Sequence, residues 1–439
     1  MALSIFQFLL MSCNHNDEPA LDNSSDIELR VSRYRTPGEA VKIAENAWAH
    51  LFGDSAVLSR SYNSTIVDMS RPVEVICTPS SRSTNSVDTL IYIVNYVDDG
   101  GFAVISAPKN VEELLAITES GSYDSLNTND ISRDGFDIWL EDVKSYVKEA
   151  ASGAQKSTII TGPITCDTTP KLQVKEWNDT IVNSRIMPML PGCWGQGEED
   201  IKDMEEAPEG YYFSNGLAGC GIIALAQVGS WNKKPHYMPN IRGGSPVFPL
   251  DWSQIEDHKK VTIYSYEQNR NDVISPECLE PNQEDANKTI SNLCRYIGDL
   301  CDADSYEGGT SASAKNILST AKELFGSNSV SDSWMEYSCS KILNRSKMFI
   351  IIGSNPTTQV GHCWVCDGDI YIVYDHYYST LADGAILWED HYLGSQSVHY
   401  AHYNWGWYGY YNGWYAVFPR PGKYEVNYSS NMHYIVITK

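Results

Sequence analysis

The sequence of 439 residues predicts an α+β protein built from a small N-terminal domain and a larger second domain. Two observations predict this class. Helical and strand periodicities are mixed in the first third of the chain, whereas in the second half helices come first and strands dominate after Lys347. A stretch rich in Ser, Thr, Gly and Lys over 151–185 separates the two and predicts a linker.

Composition narrows the range of functions. Apolar residues make up 42% and charged residues 20% of the chain, which is typical of a soluble globular protein long enough for two or three domains. The net charge of -24 and the pI near 4.7 argue against nucleic acid and anionic membrane surfaces as partners. No prosthetic cofactor is implied.

The N-terminus predicts export. The apolar run Ala2–Ser12 is too short to span a bilayer, so 1–13 is interpreted as a signal peptide. Its end, Leu-Met-Ser-Cys, resembles a bacterial lipobox with Cys13 as the lipidated residue, and the polar segment 14–30 follows as a tether. We expect a cell-surface or periplasmic lipoprotein, or a secreted protein. A cytoplasmic protein with an apolar N-terminus is the alternative.

The first domain, 31–150, shows the signals of two helices and three strands. Thr36 and Pro37 are typical of an N-cap and a first helical residue, and Gly53 of a stop. Strands are predicted at 73–76, 90–94 and 101–105, with an Asp-Asp-Gly-Gly hairpin turn between the last two. A second amphipathic helix covers 137–151, with Ile138, Leu140, Val143, Tyr146 and Val147 inward. The linker that follows, 151–185, is the expected region of activation cleavage, with Lys171 and Lys175 as candidate positions.

The second domain, 186–439, begins with helical segments and ends with strands. Helices are predicted from Cys220 onward, at 284–300 and at 313–324, and a buried strand at 347–353. Asp367-Gly368 and Asn412-Gly413 predict two hairpin turns.

Cys220 follows Ala218 and Gly219 and opens an apolar run with helical spacing. The unpaired N–H groups and the dipole of a helix N-terminus favour a thiolate, which is the nucleophilic form of cysteine. On this local pattern alone a buried core cysteine is the commoner interpretation.

Three further stretches of the sequence make catalysis the better hypothesis. Gln196 precedes the cysteine, His362 follows it far downstream, and Asn404-Trp405 come later. In this order they supply an oxyanion donor, a nucleophile, a base and a group that orients the base, which is what thiol-dependent acyl transfer requires.

These motifs resemble the streptopain family of bacterial papain-like cysteine peptidases. The matching pieces are Trp194-Gly195-Gln196-Gly197, Gly219-Cys220 with Ala224-Leu225-Ala226-Gln227, Val360-Gly361-His362 with Asp367-Gly368, and Asn404-Trp405-Gly406-Trp407. The resemblance implies a papain-like two-lobed catalytic domain, with a helical lobe and an antiparallel β lobe. It also implies that 31–150 is an inhibitory propeptide and that the chain is a zymogen acting on proteins or peptides.

The resemblance implies the following roles. Cys220 attacks the carbonyl carbon, His362 stabilises the thiolate and then acts as acid, and Gln196 donates to the oxyanion together with the Cys220 backbone N–H. Asn404 or Trp405 orients the imidazole. Gly361, Trp407, Gly308 and Gly309 contact substrate.

The chain departs from the family in the spacing of 42 from His362 to Asn404, where the insertion 371–402 predicts a lid or a specificity wall. Two other functions stay open: a non-peptide amidase or acyltransferase with the same residues, and a non-catalytic surface-binding protein. The pair Cys363-x-x-Cys366 lacks a second pair of matching spacing, and no metal site is expected. Without Cys13 and Cys220, nine of the eleven cysteines remain, and an odd number cannot all form disulfides. Most of them are therefore expected to be buried thiols.

Overall fold

The structure is a computed structural model, and it describes residues 34–52, 72–79, 89–124, 134–152, 172–196, 218–238, 248–250, 252, 283–306, 309–333, 346–354, 360–382, 385–417 and 433–439. The predicted signal peptide with Cys13, the tether 14–30 and Gly308 lie outside the described residues. Helices and antiparallel strands are both present, which confirms the α+β class.

The first helix, α1 (Pro37–Phe52), begins where the sequence predicts. The Thr36 hydroxyl accepts a hydrogen bond from Glu39 N (3.2 Å), and the Glu39 carboxylate accepts one from Thr36 N (2.6 Å). This reciprocal capping box satisfies backbone donors that a helix start leaves open. Its buried stripe consists of Ala40, Ala44, Ala47 and Leu51.

Four antiparallel strands and a helix complete the first domain: β1 (Pro72–Pro79), β2 (Thr89–Tyr96), β3 (Phe102–Ser106), β4 (Leu114–Thr118) and α2 (Asp134–Ser152). The predicted hairpin joins β2 to β3 and needs glycine at Gly101, whose φ is +94° and whose Cβ would lie 2.3 Å from the Thr118 carbonyl oxygen. The sequence missed β4, because its five residues form a short apolar run without alternation.

The predicted linker 151–185 is wrong over its second half. Residues Leu172–Ile186 form strand β5, which joins the sheet of the second domain. Its polar composition suggests a loop, but an edge strand with one neighbour needs no continuous apolar face, and backbone hydrogen bonds hold it.

The second domain has three long helices: α3 (Cys220–Asn232), α4 (Gln283–Leu300) and α5 (Ala314–Phe325). The predicted start of α3 at Cys220 is confirmed, and α4 and α5 agree with the predicted ranges 284–300 and 313–324 to within one residue at each end. Short strand pairs are β6 (Tyr237–Met238) with β7 (Phe248–Pro249) and β8 (Asp304–Tyr306) with β9 (Gly309–Ser311). The longer strands are β10 (Val330–Ser333), β11 (Lys347–Ser354), β12 (Gly361–Ala382), β13 (Ala385–Asn404), β14 (Gly413–Val417) and β15 (His433–Thr438).

One antiparallel sheet runs through both domains in the order β1-β2-β3-β4-β14-β13-β12-β11-β15-β10, with β5 on the outer part of β12. The domains meet where β4 pairs with β14. One apolar core lies between the sheet and helices α1 and α2, and a second lies on the opposite face under α3, α4 and α5. Side chains of β11 and β12 alternate between the two cores, as the period of a strand requires.

The insertion 371–402 is the outer part of a long β12–β13 hairpin, which together with β5 forms a three-stranded arm. The predicted turn at Asp367-Gly368 is wrong, because both residues lie within β12 at a register shift. Gly368 is required for packing: a Cβ there would lie 2.8 Å from His402 Cβ and 3.0 Å from the Ile186 carbonyl oxygen. The Asn412-Gly413 prediction holds, since Gly413 opens the strand that returns along β13.

Within the described ranges, six cysteines are free: Cys193, Cys220, Cys294, Cys301, Cys363 and Cys366. The last four are buried, which confirms the expectation of buried thiols for them. In the same ranges no group of three potential metal ligands is found. None of the described helices combines the length and apolar character of a membrane-spanning segment.

Candidate active site

Cys220 is the first residue of α3 and is partly exposed, whereas every residue after it, Gly221–Asn232, is buried. Gly219 caps the helix with φ +87°, and a Cβ at this position would lie 2.5 Å from the Thr310 carbonyl oxygen. Only glycine allows the backbone to approach so closely. Strand β9, which begins at Gly309, therefore lies beside the residue that precedes the cysteine.

Gln196 lies next to the same segment. Its carbonyl oxygen accepts a hydrogen bond from Ala218 N (2.7 Å), two residues before Cys220, and the residue is only 8% exposed. The preceding Gly195 lies against the Tyr408 ring, where a Cβ would approach to 2.3 Å. The structure thus brings the Gln196 and Cys220 segments together, as a shared role at an oxyanion requires.

His362 is buried near the start of β12. Its Nε2–H donates to the Trp405 carbonyl oxygen (2.8 Å), and its ring stacks on Trp364. A carbonyl oxygen can only accept, so the neutral imidazole carries its proton on Nε2 and leaves Nδ1 as the basic nitrogen. Burial lowers the pKa of His362 to about 4, although the hydrogen bond to Trp405 acts in the opposite direction. The imidazole is therefore neutral at pH 7.

Helix α2 of the first domain covers this histidine. A Cβ added to Gly135, in the first turn of α2, would lie 2.6 Å from His362 Cδ2 and 2.3 Å from Trp405 Cε3. The backbone of α2 is thus in direct contact with the imidazole and the indole. Cys363, the next residue of β12, packs in the opposite core, and its pKa is raised well above the usual value by burial and by the neighbouring thiols Cys220 and Cys301.

Asn404 does not hold the imidazole here. Its Oδ1 accepts hydrogen bonds from Gln227 Nε2 (3.3 Å) and Gly406 N (3.1 Å). The sequence left open whether Asn404 or Trp405 orients His362, and the geometry assigns the contact to the Trp405 backbone carbonyl. The Trp405 indole also tilts against the His362 ring, with centroids 6.2 Å apart.

The remaining predicted substrate contacts lie around the same wall. Gly361 is exposed at the first position of β12, and Trp407 is 5% exposed. The buried Trp407 Nε1 has no acceptor among the described residues.

The structure also contains a buried ion pair that the sequence does not predict. His402 Nδ1 lies 2.6 Å from Asp367 Oδ1, and its Nε2 lies 3.7 Å from the Glu119 carboxylate of the first domain. Burial by itself lowers the pKa of His402, but Asp367 and Glu119 outweigh it and raise the pKa to about 9. The sequence shows an Asp within an apolar run there, and the Asp-Gly pair predicts a turn and not an ion pair.

A partly exposed cysteine at a helix start, a buried imidazole in the sheet and a separate domain packed on that imidazole are the features of an inhibited proenzyme of a thiol-dependent hydrolase. In this closed chain Cys363, and not His362, is the residue of β12 that faces Cys220. The model of the peptidase C10 family matches residues 194–415, and that of the Spi protease inhibitor matches residues 36–147. The chain belongs to the peptidase C10 family and is a cysteine endopeptidase preceded by an inhibitor domain.

Solved structures show similar chains from Prevotella intermedia. A mutated fragment of prointerpain A is 16% identical, with a TM-score of 0.45, over 83% of this chain and 98% of that chain. The active wild-type interpain A cysteine protease is 14% identical, with a TM-score of 0.32, over 58% of this chain and 95% of that chain. No curated protein matches the chain significantly.

Proposed function

We propose that this chain is an exported zymogen that hydrolyses peptide bonds with Cys220 as nucleophile and His362 as acid and base. Gln196 and the Cys220 backbone N–H are the oxyanion donors of this mechanism. The observation that carries the proposal is the contact of the α2 backbone at Gly135 with His362, because it places an inhibitor domain on the one basic group that the chemistry needs.

In the proposed closed form the dyad is switched off by burial. A thiolate–imidazolium pair requires a protonated histidine, and burial holds the pKa of His362 near 4. Removal of the first domain returns water to the ring and lets Nδ1 reach the thiol. Cys220 then attacks the scissile carbonyl carbon, the imidazolium protonates the leaving amine, and water hydrolyses the thioester.

Substrate binding is proposed around the residues that flank His362 and Trp405. Gly361 is exposed at the start of β12, and Trp407 follows Trp405 by two residues, so both are proposed to contact substrate once the first domain is removed. Gly309 is proposed for the same role by its position in β9, beside the segment of Cys220. Gly308 is proposed for the same role by its position in the sequence. Protein or peptide chains are the proposed substrates, in keeping with the peptidase family and its inhibitor domain.

Export and lipidation at Cys13 are proposed from the sequence. Metabolic labelling with a radioactive fatty acid in a bacterial host tests this directly. Wild type is expected to take label and the Cys13→Ser variant to take none. Equal labelling of both proteins contradicts the assignment of Cys13.

Self-processing tests the enzymatic proposal. The chain from Asn14 onward is prepared as wild type, as Cys220→Ala and as the control Cys193→Ala, another partly exposed cysteine. Under reducing conditions intact mass and labelling by a thiol-directed epoxide are followed over time. We expect wild type and Cys193→Ala to lose the first domain and to take label at Cys220, while Cys220→Ala does neither.

The other outcomes identify the competing functions. Labelling of Cys220 without any cleavage of protein substrates supports a non-peptide amidase or acyltransferase. Absence of label, even after the first domain is removed by an added protease, supports a non-catalytic surface-binding protein.

A further inference from the structure

Gln227 lies two helical turns after Cys220 in α3 and is 1% exposed. An amide buried in an otherwise apolar helix has to be hydrogen-bonded, since an unpaired polar group in the interior destabilises the fold. Its Oε1 accepts from Trp194 N (3.1 Å), and its Nε2 donates to Asn404 Oδ1 (3.3 Å). The amide therefore connects the nucleophile helix to two other segments of the site.

The orientation of both amides follows from their backbone partners. Trp194 N can only donate, so the atom facing it is Gln227 Oε1, and Gly406 N likewise identifies Asn404 Oδ1. Gln227 Nε2 is then the donor that faces Asn404 Oδ1. Neither amide can be flipped without placing a donor against a donor.

The two segments that Gln227 reaches both carry proposed catalytic groups. Asn404 and Gly406 flank Trp405, whose carbonyl accepts the His362 Nε2–H. The bond from Gly406 N to Asn404 Oδ1 fixes this turn and so the direction of that carbonyl. On the other side, Trp194 lies two residues before Gln196.

We propose that Gln227 is a positioning residue, which holds the Trp405 carbonyl and the Gln196 segment in register with the cysteine at the start of its own helix. The proposal rests on the proposed function, because its target is the His362 that this function uses. Gln227 contacts neither substrate nor the reacting atoms. It acts through Asn404 on the base and through Trp194 on the oxyanion side.

The first test replaces Gln227 by methionine, which keeps its length and removes both hydrogen bonds. Ser230→Ala is the matched control, since Ser230 is also 1% exposed in α3 and, among the described residues, its hydroxyl bonds the Gln227 backbone carbonyl within the helix. Variants are processed with tagged wild-type enzyme that is then removed. Casein hydrolysis and the alkylation rate of Cys220 by iodoacetamide are measured from pH 5 to 9.

We expect Gln227→Met to lower kcat by about 10–100-fold with KM changed less than about two-fold, because misplacement of a catalytic group has an effect of this size. The alkylation rate at pH 5–6, which reports the thiolate–imidazolium pair, falls with it. Ser230→Ala stays within about two-fold of wild type. A loss confined to KM, or equal losses in both variants, contradicts the proposal.

Gln227→Glu gives a readout that a packing role does not produce. A protonated carboxyl group accepts from Trp194 N and donates to Asn404 Oδ1, whereas the carboxylate repels that oxygen. The activity of this variant relative to wild type is expected to fall about ten-fold or more between pH 5 and pH 8. A ratio of activities that stays constant across this pH range overturns the proposal. This test does not depend on whether Gln227→Met folds.

Failure of the proposed function is distinguishable from failure of this inference. If wild type does not hydrolyse casein, the peptidase proposal is affected, and the alkylation profiles of Cys220 still compare the variants. If wild type is active and Gln227→Met is equally active, only the role of Gln227 is wrong.

Discussion

His362 and His402 are both buried, yet their pKa values shift in opposite directions. His362 has a neutral hydrogen-bond acceptor, the Trp405 carbonyl, and burial lowers its pKa to about 4. His402 faces the carboxylates of Asp367 and Glu119, which overcome burial and raise its pKa to about 9. The charge of the partner, and not the depth of burial, decides the protonation state of each ring.

Removal of the first domain is expected to increase the reactivity of Cys220 at mildly acidic pH. At pH 6 the His362 of the closed proenzyme is neutral and cannot stabilise a thiolate, whereas a solvated imidazole can. Iodoacetamide alkylation at pH 6 should be about ten-fold faster or more in the processed enzyme, with the modified residue identified by peptide mass. Equal rates in the two forms would show that burial of His362 does not control the thiol.

Because of the His402–Asp367 pair, the stability of the folded protein should decrease as the pH becomes alkaline. The pKa of His402 is about 9 when folded and about 6.5 in an unfolded chain, so its contribution is complete below about pH 6.5 and is lost as pH rises to 9. Thermal unfolding of the Cys220→Ala chain is measured over this range, with His402→Gln in the same background. We expect Tm to fall with pH in the former and to change much less in the latter. Parallel slopes would contradict the assignment.

The arm of β5, β12 and β13 contacts helix α1 of the inhibitor domain. Arg185 of β5 donates to the Leu51 carbonyl oxygen (2.6 Å) and lies over the Phe52 ring, and Tyr374 of β12 bonds His50 Nε2 (2.5 Å). The sequence suggested a lid or a specificity wall for this insertion. In the closed chain it holds the C-terminal end of α1.

The position of β5 predicts where activation cleavage occurs. Lys175 is paired with Ser379 of β12, and a protease needs an extended segment that is free of such pairing. The new N-terminus is therefore expected between the end of α2 at Ser152 and the start of β5 at Leu172. N-terminal sequencing of the processed enzyme locates the bond, and Lys175→Ala should process at the wild-type rate. Cleavage after Lys175 would contradict this expectation.

Over the whole molecule, the two domains share a sheet and an aromatic cluster. The pairing of β4 with β14 is reinforced by Phe136 stacked on Tyr411 (5.6 Å between centroids) and by Trp139 edge-on to Tyr415 (4.9 Å). Tyr415 in turn contacts the Trp405 indole. The inhibitor domain is thus packed directly against the wall that carries the acceptor of His362.

Loss of the Trp139 ring should loosen the closed form without changing the enzyme that it releases. Trp139 is 2% exposed, and replacing such a residue by alanine typically costs about 3–5 kcal/mol. We expect Trp139→Ala to self-process several-fold faster and to yield a mature enzyme with wild-type kcat and KM. Lys144→Ala, on the exposed side of α2, is the control. Unchanged processing of Trp139→Ala would show that this contact does not limit opening.

The sequence by itself determined the helices, because capping residues and apolar periodicity are local. Thr36 with Glu39 marks the start of α1, and the apolar run after Cys220 predicts α3. The sequence also shows the residue types that thiol catalysis requires, Gln196, Cys220 and His362, in that order along the chain. These chemical identities need no knowledge of the fold.

Only the tertiary structure decided which groups meet. His362 is held by the backbone carbonyl of Trp405 and not by the Asn404 side chain. Every residue type has a backbone carbonyl, so the sequence does not reveal which one accepts the hydrogen bond. Strand β5 is likewise held by backbone hydrogen bonds, which its polar residues do not predict. The pair Asp367-Gly368 is typical of a turn, but in the structure Asp367 forms an ion pair with His402 and Gly368 allows a close approach of the backbone. Contacts between residues far apart in the chain are made by packing, and local patterns do not encode them.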